Sequence, residues 1–203
     1  SIATGQPKHF QHVTLLEEPL RETIDGDGDG ISDENDAFPS DPTRASDADG
    51  DGYDDLEDGC MLIAGNSTMD RFGCTDSDGD GYSDGDAQWT TVNGSDAFPN
   101  EATQNADQDG DGFGDNAAGF EGDDCITTSG TSFRDVFGCD DEDADGMSDT
   151  NDAFLGEPTQ WNDTDGDGYG DEVNGTQGDT CPEVAGTSTN DVYGCVDSDG
   201  DGY

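Results

Sequence analysis

The sequence predicts a mostly irregular fold with little regular secondary structure. It reads as an elongated or solenoid-like repeat array without a large apolar core. Three observations predict this. The 203 residues carry 52 Asp and Glu against 5 Lys and Arg, a formal net charge of −47. Leu, Ile, Val and Phe together number only 27, a content at which a highly charged chain stays unfolded unless something other than a core holds it. The acids do not form a block but recur at odd spacings with glycine between them, in seven copies of one pattern. An ordinary single-core domain is thereby excluded. Nucleic acid and anionic membranes are poor partners for so negative a surface, whose natural partner is a cation. No apolar run approaches about 18 residues, so no membrane-inserted helix is expected.

Taken in order, residues 1–24 differ from the rest. They hold both histidines, His9 and His12, the only lysine and one of the four arginines. The stretch 9–16 reads equally as a strand or a short helix, because its apolar period does not decide. It is expected to contact a neighbouring subunit, for instance by adding a strand to an edge. The chain has no signal-peptide pattern at Ser1 and no initiator Met, and its last repeat stops short, so it is expected to be a piece of a longer protein.

From residue 25 onward the pattern is Asp at positions 1, 3 and 5, Gly at 6, an apolar or aromatic residue at 7 and Asp at 9. The first copy has Asp25, Asp27 and Asp29, then Ile31, Asp33 and, at position 12, Asp36. The second has Asp47, Asp49, Asp51, Tyr53, Asp55 and Asp58. The third has Asp76, Asp78, Asp80, Tyr82 and Asp84, and the fourth Asp107, Asp109, Asp111, Phe113 and Asp115. The fifth has Asp141, Asp143, Asp145, Met147, Asp149 and Asp152, and the sixth Asp163, Asp165, Asp167, Tyr169 and Asp171. The seventh has Asp197, Asp199, Asp201 and Tyr203, where the chain stops.

The copies alternate in the segment on their C-terminal side. The first, third and fifth lead into Asp-Ala-Phe, with Arg44, Gln104 or Gln160 six residues after the Phe. The second, fourth and sixth lead into Cys60, Cys125 and Cys181, and 14 residues beyond these stand Cys74, Cys139 and Cys195. The larger unit is therefore two loops and a C-x13-C segment, with periods of 51, 65 and 56 residues. The variation falls in Gly/Ser/Thr/Asn-rich stretches such as 85–95 and 116–122, which read as loops. Gly and Asp disfavour both helix and strand throughout.

The spacing points to a hard cation. Ca²⁺ takes 6–8 oxygen ligands at about 2.3–2.6 Å, so a loop must wrap several carboxylates around one point. Asp at 1, 3 and 5 supplies three, Gly at 6 permits the sharp turn, and position 7 offers its backbone carbonyl. The side chain at position 7 is then free to pack and is expected to supply most of what core exists. Asp at 9 and an acid at 12 close the shell. Position 12 is Ala87, Ala118 and Asn174 in the third, fourth and sixth copies. There a later acid is expected to substitute: Asp96, then Asp123 or Asp124, then Asp179. Magnesium prefers a near-octahedral site and keeps its waters, so it suits the loops less well. Zinc is disfavoured, because no C-x-x-C occurs and both histidines precede the repeats. Seven Ca²⁺ ions would bring the charge from −47 to −33, and fourteen to −19. The acids flanking the loops (Asp54, Asp86, Asp124, Asp140, Asp179) favour more than one ion per loop. Folding is expected to be metal-linked.

The pattern resembles the thrombospondin type 3 repeat, the D-x-D-x-D-G-x-x-D-x-x-D array of extracellular proteins, and is similar to the acidic arrays of large microbial surface proteins. In that family a loop ends D-x-C-P and is followed by Gln and a loop closing G-D-x-C. Here Phe98-Pro99, Gln104 and the run Asp107 to Asp115 keep this order, and Gln160 with Asp163 to Asp171 repeats it. The resemblance covers 25–203. It implies a backbone wound around a string of calcium ions and stapled by disulfides. Phe38, Phe98 and Phe154 stand where the family has Cys, and insertions split the third, fourth and sixth loops. A dockerin or EF-hand shares the loop spacing but requires flanking helices, where this chain has Gly, Pro and Asn.

Six cysteines allow 15 pairings. The three equal intervals favour Cys60–Cys74, Cys125–Cys139 and Cys181–Cys195, with pairing between neighbouring units, such as Cys74–Cys125, as the alternative. Either implies an oxidising, extracellular setting. Sequons at Asn66, Asn93, Asn162 and Asn174 are candidate glycosylation sites. Trp89 and Trp161 read as packing residues rather than carbohydrate contacts, and no catalytic constellation is present, so no enzyme is expected. The function expected is a calcium-stiffened extracellular stalk, spacer or subunit of a surface fibre, with calcium and further copies of itself as partners. The alternatives are a calcium-dependent adhesion module for surface glycans or proteins, and a non-catalytic appendage of a larger secreted protein.

Overall fold

The computed structural model describes residues 23–203. The stretch 9–16, with His9 and His12, lies outside the described residues. The chain divides into two units, one ending at Ser46 and the other running Asp47–Tyr203. Among the described residues the regular secondary structure is a single 3-10 turn, Thr91–Asn93, with two isolated parallel bridges, Gly114 to Gly122 and Asp179 to Tyr193. Residues 23–203 are thus irregular almost throughout. No described loop is flanked by helices, which removes the helix–loop–helix alternative.

The reason is local. Aspartate side chains take the backbone donors that a helix or strand would otherwise use. In the second loop Asp47 accepts the N–H of Gly50 through Oδ1 at 2.6 Å and that of Gly52 through Oδ2 at 3.0 Å. Asp49 and Asp51 each accept the N–H two residues on, from Asp51 at 3.3 Å and Tyr53 at 2.9 Å. Asp55 reaches back to the N–H of Ala48 at 2.8 Å. These are Asx turns laid end to end. The same set recurs in the first, third, fourth and sixth loops. The turns need left-handed backbone at positions 4 and 6, as at Gly50 (φ 85°) and Gly52 (φ 97°). The fifth loop alone has a side chain at position 4, Ala144, held at φ 63°.

Each Asp-Ala-Phe linker is closed by one backbone bond. The N–H of Ala37, Ala97 and Ala153 donates to the carbonyl of Ala45, Asn105 and Trp161 at 3.0, 3.0 and 3.1 Å. The C-x13-C segments are clips. Disulfides join Cys60–Cys74, Cys125–Cys139 and Cys181–Cys195, with Cα–Cα distances of 5.1, 5.1 and 5.2 Å. The local pairing therefore holds and the inter-unit alternative does not.

The interior is polar. The largest fully buried side chains are Gln104, Gln160, Asp123 and Asp179, followed by Cys74 and five serines. This corrects the expectation that position 7 supplies most of the core. Ile31 is 37% exposed and Tyr203 65%, and the other five are only half-buried. In the even-numbered loops those residues cover the clips instead: Tyr53, Phe113 and Tyr169 lie against Phe72, Phe137 and Tyr193, with ring centroids 5.7–5.8 Å apart. A side chain between two turning loops has one neighbour to lean on, not a layer of them.

Candidate metal centres

The loop turns aim carboxylates inward. Oxygens of Asp25/Asp27/Asp29, Asp47/Asp49/Asp51, Asp76/Asp78/Asp80, Asp107/Asp109/Asp111 and Asp141/Asp143/Asp145 gather within 4.8 Å of one another. Position 3 spends one oxygen on a backbone N–H. The other, Oδ2 of Asp27, Asp49, Asp78, Asp109, Asp143 and Asp165, is buried without a hydrogen-bond partner.

The closing acid is built the same way whether or not the loop is split. Its Oδ1 accepts the N–H two residues on: Asp36 from Phe38, Asp58 from Cys60, Asp96 from Phe98, Asp123 from Cys125, Asp152 from Phe154 and Asp179 from Cys181, at 2.6–2.8 Å. The N–H of Asp58, Asp96, Asp123, Asp152 and Asp179 in turn donates to the carbonyl of loop position 8, namely Asp54, Ser83, Gly114, Ser148 and Gly170, at 2.7–2.9 Å. The insertions therefore loop out and return Asp96, Asp123 and Asp179 to the place that the contiguous loops give to position 12. Asp124 goes elsewhere: it is exposed, and its carboxylate accepts the N–H of Phe137. Asp86 likewise pairs with Arg71 at 2.8 Å. With Asp179 a closing acid, three of the five flanking acids that argued for extra ions have other employment.

The electrostatics agree with the geometry. Burial pushes the Asp96 carboxyl up to about 6 against the bond from Phe98, with Asp80, Asp78 and Asp84 adding like charge. Burial likewise raises Asp58, Asp123, Asp152 and Asp179, and in each case three acids of its own loop contribute. Asp96, Asp123 and Asp179 are 4%, 1% and 0% exposed, and each has an unpartnered Oδ2. Buried, unpaired carboxylate oxygens carry a desolvation cost that a bound cation removes. The donor set is oxygen, with every described cysteine in a disulfide, so it fits a hard cation rather than a thiophilic one.

The even-numbered loops differ from the odd in one respect that sequence reasoning missed. The second oxygen of their position-5 acid, in Asp51, Asp111 and Asp167, accepts the N–H of Gly65, Gly130 or Gly186 at 2.8–3.0 Å. A Cβ on any of these glycines would lie 2.0 Å from the carbonyl carbon of the clip's second cysteine. Two residues on, Ser67, Ser132 and Ser188 are fully buried and accept the N–H of Cys74, Cys139 and Cys195 at 2.9–3.0 Å. The signal was present as C-x4-G-x-S-x6-C in all three clips.

No protein-family model and no curated protein sequence matches this chain. No helix of the described residues is long and apolar enough to cross a membrane. The four sequon asparagines, Asn66, Asn93, Asn162 and Asn174, are all exposed. Trp89 packs under Arg71 and donates its Nε1–H to Asp70 at 2.9 Å, and Trp161 lies beneath Arg134.

Proposed function

We propose that this chain is an extracellular structural repeat protein of the thrombospondin type 3 kind, built around calcium. It serves as a stiff stalk, spacer or fibre subunit. One observation carries the reading: the closing acids Asp96, Asp123 and Asp179 return across insertions to the same hydrogen-bonded place, each with a buried, unpartnered oxygen beside its loop's acids. Nothing among the described residues answers those oxygens, and a repeat that rebuilds them after an insertion is serving a ligand. Calcium suits an irregular, all-oxygen shell better than magnesium does. In each of the six complete loops the acids at 3, 5 and 9, the carbonyl at 7 and the closing acid are the proposed ligands. The acid at 1 also shapes the turn, through both its oxygens in every complete loop but the fifth, where Asp141 uses one. Three disulfides support an oxidising, extracellular setting. With part of its polyanionic charge offset by the ions, such an array is quasi-one-dimensional, each unit held by its neighbours.

The test is a calcium titration of the oxidised chain, with ion count by native mass spectrometry and size by small-angle scattering. The expected result is saturation at about one ion per complete loop, with a sharp change to a defined size. Weak, unsaturating binding with an unchanged coil-like radius refutes the reading. Electron microscopy in millimolar calcium tests the fibre: monomers alone would leave a stalk or spacer only.

A further inference from the structure

An array of repeats carries its own control: a feature that recurs in every unit serves the fold, and one that occurs once needs another explanation. The first and fifth loops pass directly from position 12 into Asp-Ala-Phe, whereas the third inserts residues 85–95 before Asp96. The insertions in the fourth and sixth loops are folded around Gln104 and Gln160, three residues before their loops, whereas Gly73 stands at that place before the third loop. It is anchored by Trp89 on Asp70 and Arg71, and then turns through the 3-10 segment Thr91–Asn93. That turn forms one wall of a cleft of about 370 Å³, with Tyr82 of the third loop and residues 105–108 as the others. Its volume falls within the range of about 300–1,000 Å³ typical of small-molecule sites.

The chemistry of the walls is specific. Tyr82 supplies an aromatic ring and Val92, 93% exposed, an aliphatic surface. Asn105, Gln108 and Thr91 also line the cleft, and none of their side chains is hydrogen-bonded to another described residue, which leaves two amides and a hydroxyl uncommitted. Asp107, also in the lining, has both its oxygens bonded to the N–H groups of Gly110 and Gly112 and contributes its negative charge. Uncommitted donors and acceptors of neutral type around an apolar platform match a polyhydroxyl ligand, and the acidic surroundings repel an anionic one. We propose that this cleft binds a neutral sugar unit.

The test is binding of the full chain, in millimolar calcium, to an array of neutral and anionic oligosaccharides, with Asn105→Ala and Gln108→Ala alongside. The expected result is binding confined to neutral glycans and weakened about tenfold in each variant, the cost of one lost hydrogen bond. Ion counts by native mass spectrometry on the same samples separate loss of the cleft from loss of calcium. The sugar has two sources, a foreign glycan or the chain's own at Asn93, beside the cleft. Chain from a glycosylating cell is therefore compared with Asn93→Gln. Array binding by both assigns a foreign sugar; binding only after Asn93→Gln assigns the chain's own. No neutral glycan bound by either form, equal binding in the Asn105 and Gln108 variants, or preference for anionic glycans overturns the proposal.

Discussion

Asp96 stores a cost that only a cation or a proton relieves. Its folded value, about 6 against an ordinary 3.8, means that the metal-free fold binds this proton more tightly than the unfolded chain. Linkage sets the sign. Below pH 3.8 the group is protonated in both states and contributes nothing; as pH rises to about 6 its ionisation increasingly opposes folding. Asp96→Asn keeps an oxygen for the Phe98 N–H and removes the charge. At limiting calcium, where the third loop is empty and its neighbours are loaded, it should raise stability at neutral pH by roughly 2–3 kcal/mol, an effect gone below about pH 4, as read from urea unfolding midpoints. In calcium the same variant should lose one ion by native mass spectrometry. Ala144 is the second telling residue. It holds φ 63° where the other loops place glycine, and the Asp141 oxygen that should receive its N–H is unpartnered. Ala144→Gly should stabilise the fifth loop by about 1 kcal/mol, measured by denaturant unfolding.

Among the elements, the clip is the part most sensitive to substitution. Gly65→Ala would place a methyl on the backbone of Cys74 and lift the Gly65 N–H from Asp51. A destabilisation of at least about 2 kcal/mol is expected, with slower formation of the Cys60–Cys74 disulfide by peptide mapping. Gln104 is the corresponding pin for an insertion: its amide binds the carbonyls of Asn116 and Phe120 at 2.9 and 3.0 Å and accepts the Asn116 N–H at 3.0 Å. Gln104→Ala should cost about 1–3 kcal/mol and speed hydrogen exchange across 114–123, because buried groups lose their partners. The acid register and the clip pairing were legible in the sequence, because each is set by spacing within one segment; the closing acid of the fourth loop was left between Asp123 and Asp124, because an insertion breaks that spacing. Gly65, Ser67 and Gln104 were visible as recurring letters, but their roles were not. A close backbone approach or a buried amide is a relation between segments, and one sequence without its three-dimensional neighbours does not state which segments meet.

For the whole molecule, the controlling quantity is charge. With −47 on 203 residues and no cation, self-repulsion acts over the screening length, about 10 Å at 0.1 M salt. In chelator the scattering radius should fall steadily as sodium chloride is added, whereas the calcium-loaded form should be insensitive. A metal-free radius independent of salt would mean that the Asx turns alone hold the fold. The scarcity of regular structure among the described residues was legible from composition at this scale. The polar interior was not, because an apolar residue at position 7 signals burial without saying how many neighbours will cover it.

That polar interior has a thermal consequence. Heat capacity rises on unfolding because apolar surface is exposed to water, and falls where polar surface is exposed; ordinary domains net about 12–15 cal/mol/K per residue. Among the described residues the largest fully buried side chains are amides, carboxylates and hydroxyls beside one half-cystine. The unfolding heat capacity change should therefore be a small fraction of the usual value. The stability curve becomes nearly flat, with no cold-denaturation limb in reach, and calorimetry of the loaded protein at several calcium concentrations would read this directly. A scaffold of this kind keeps the same firmness over a range of temperatures across which an oil-cored domain softens at both ends.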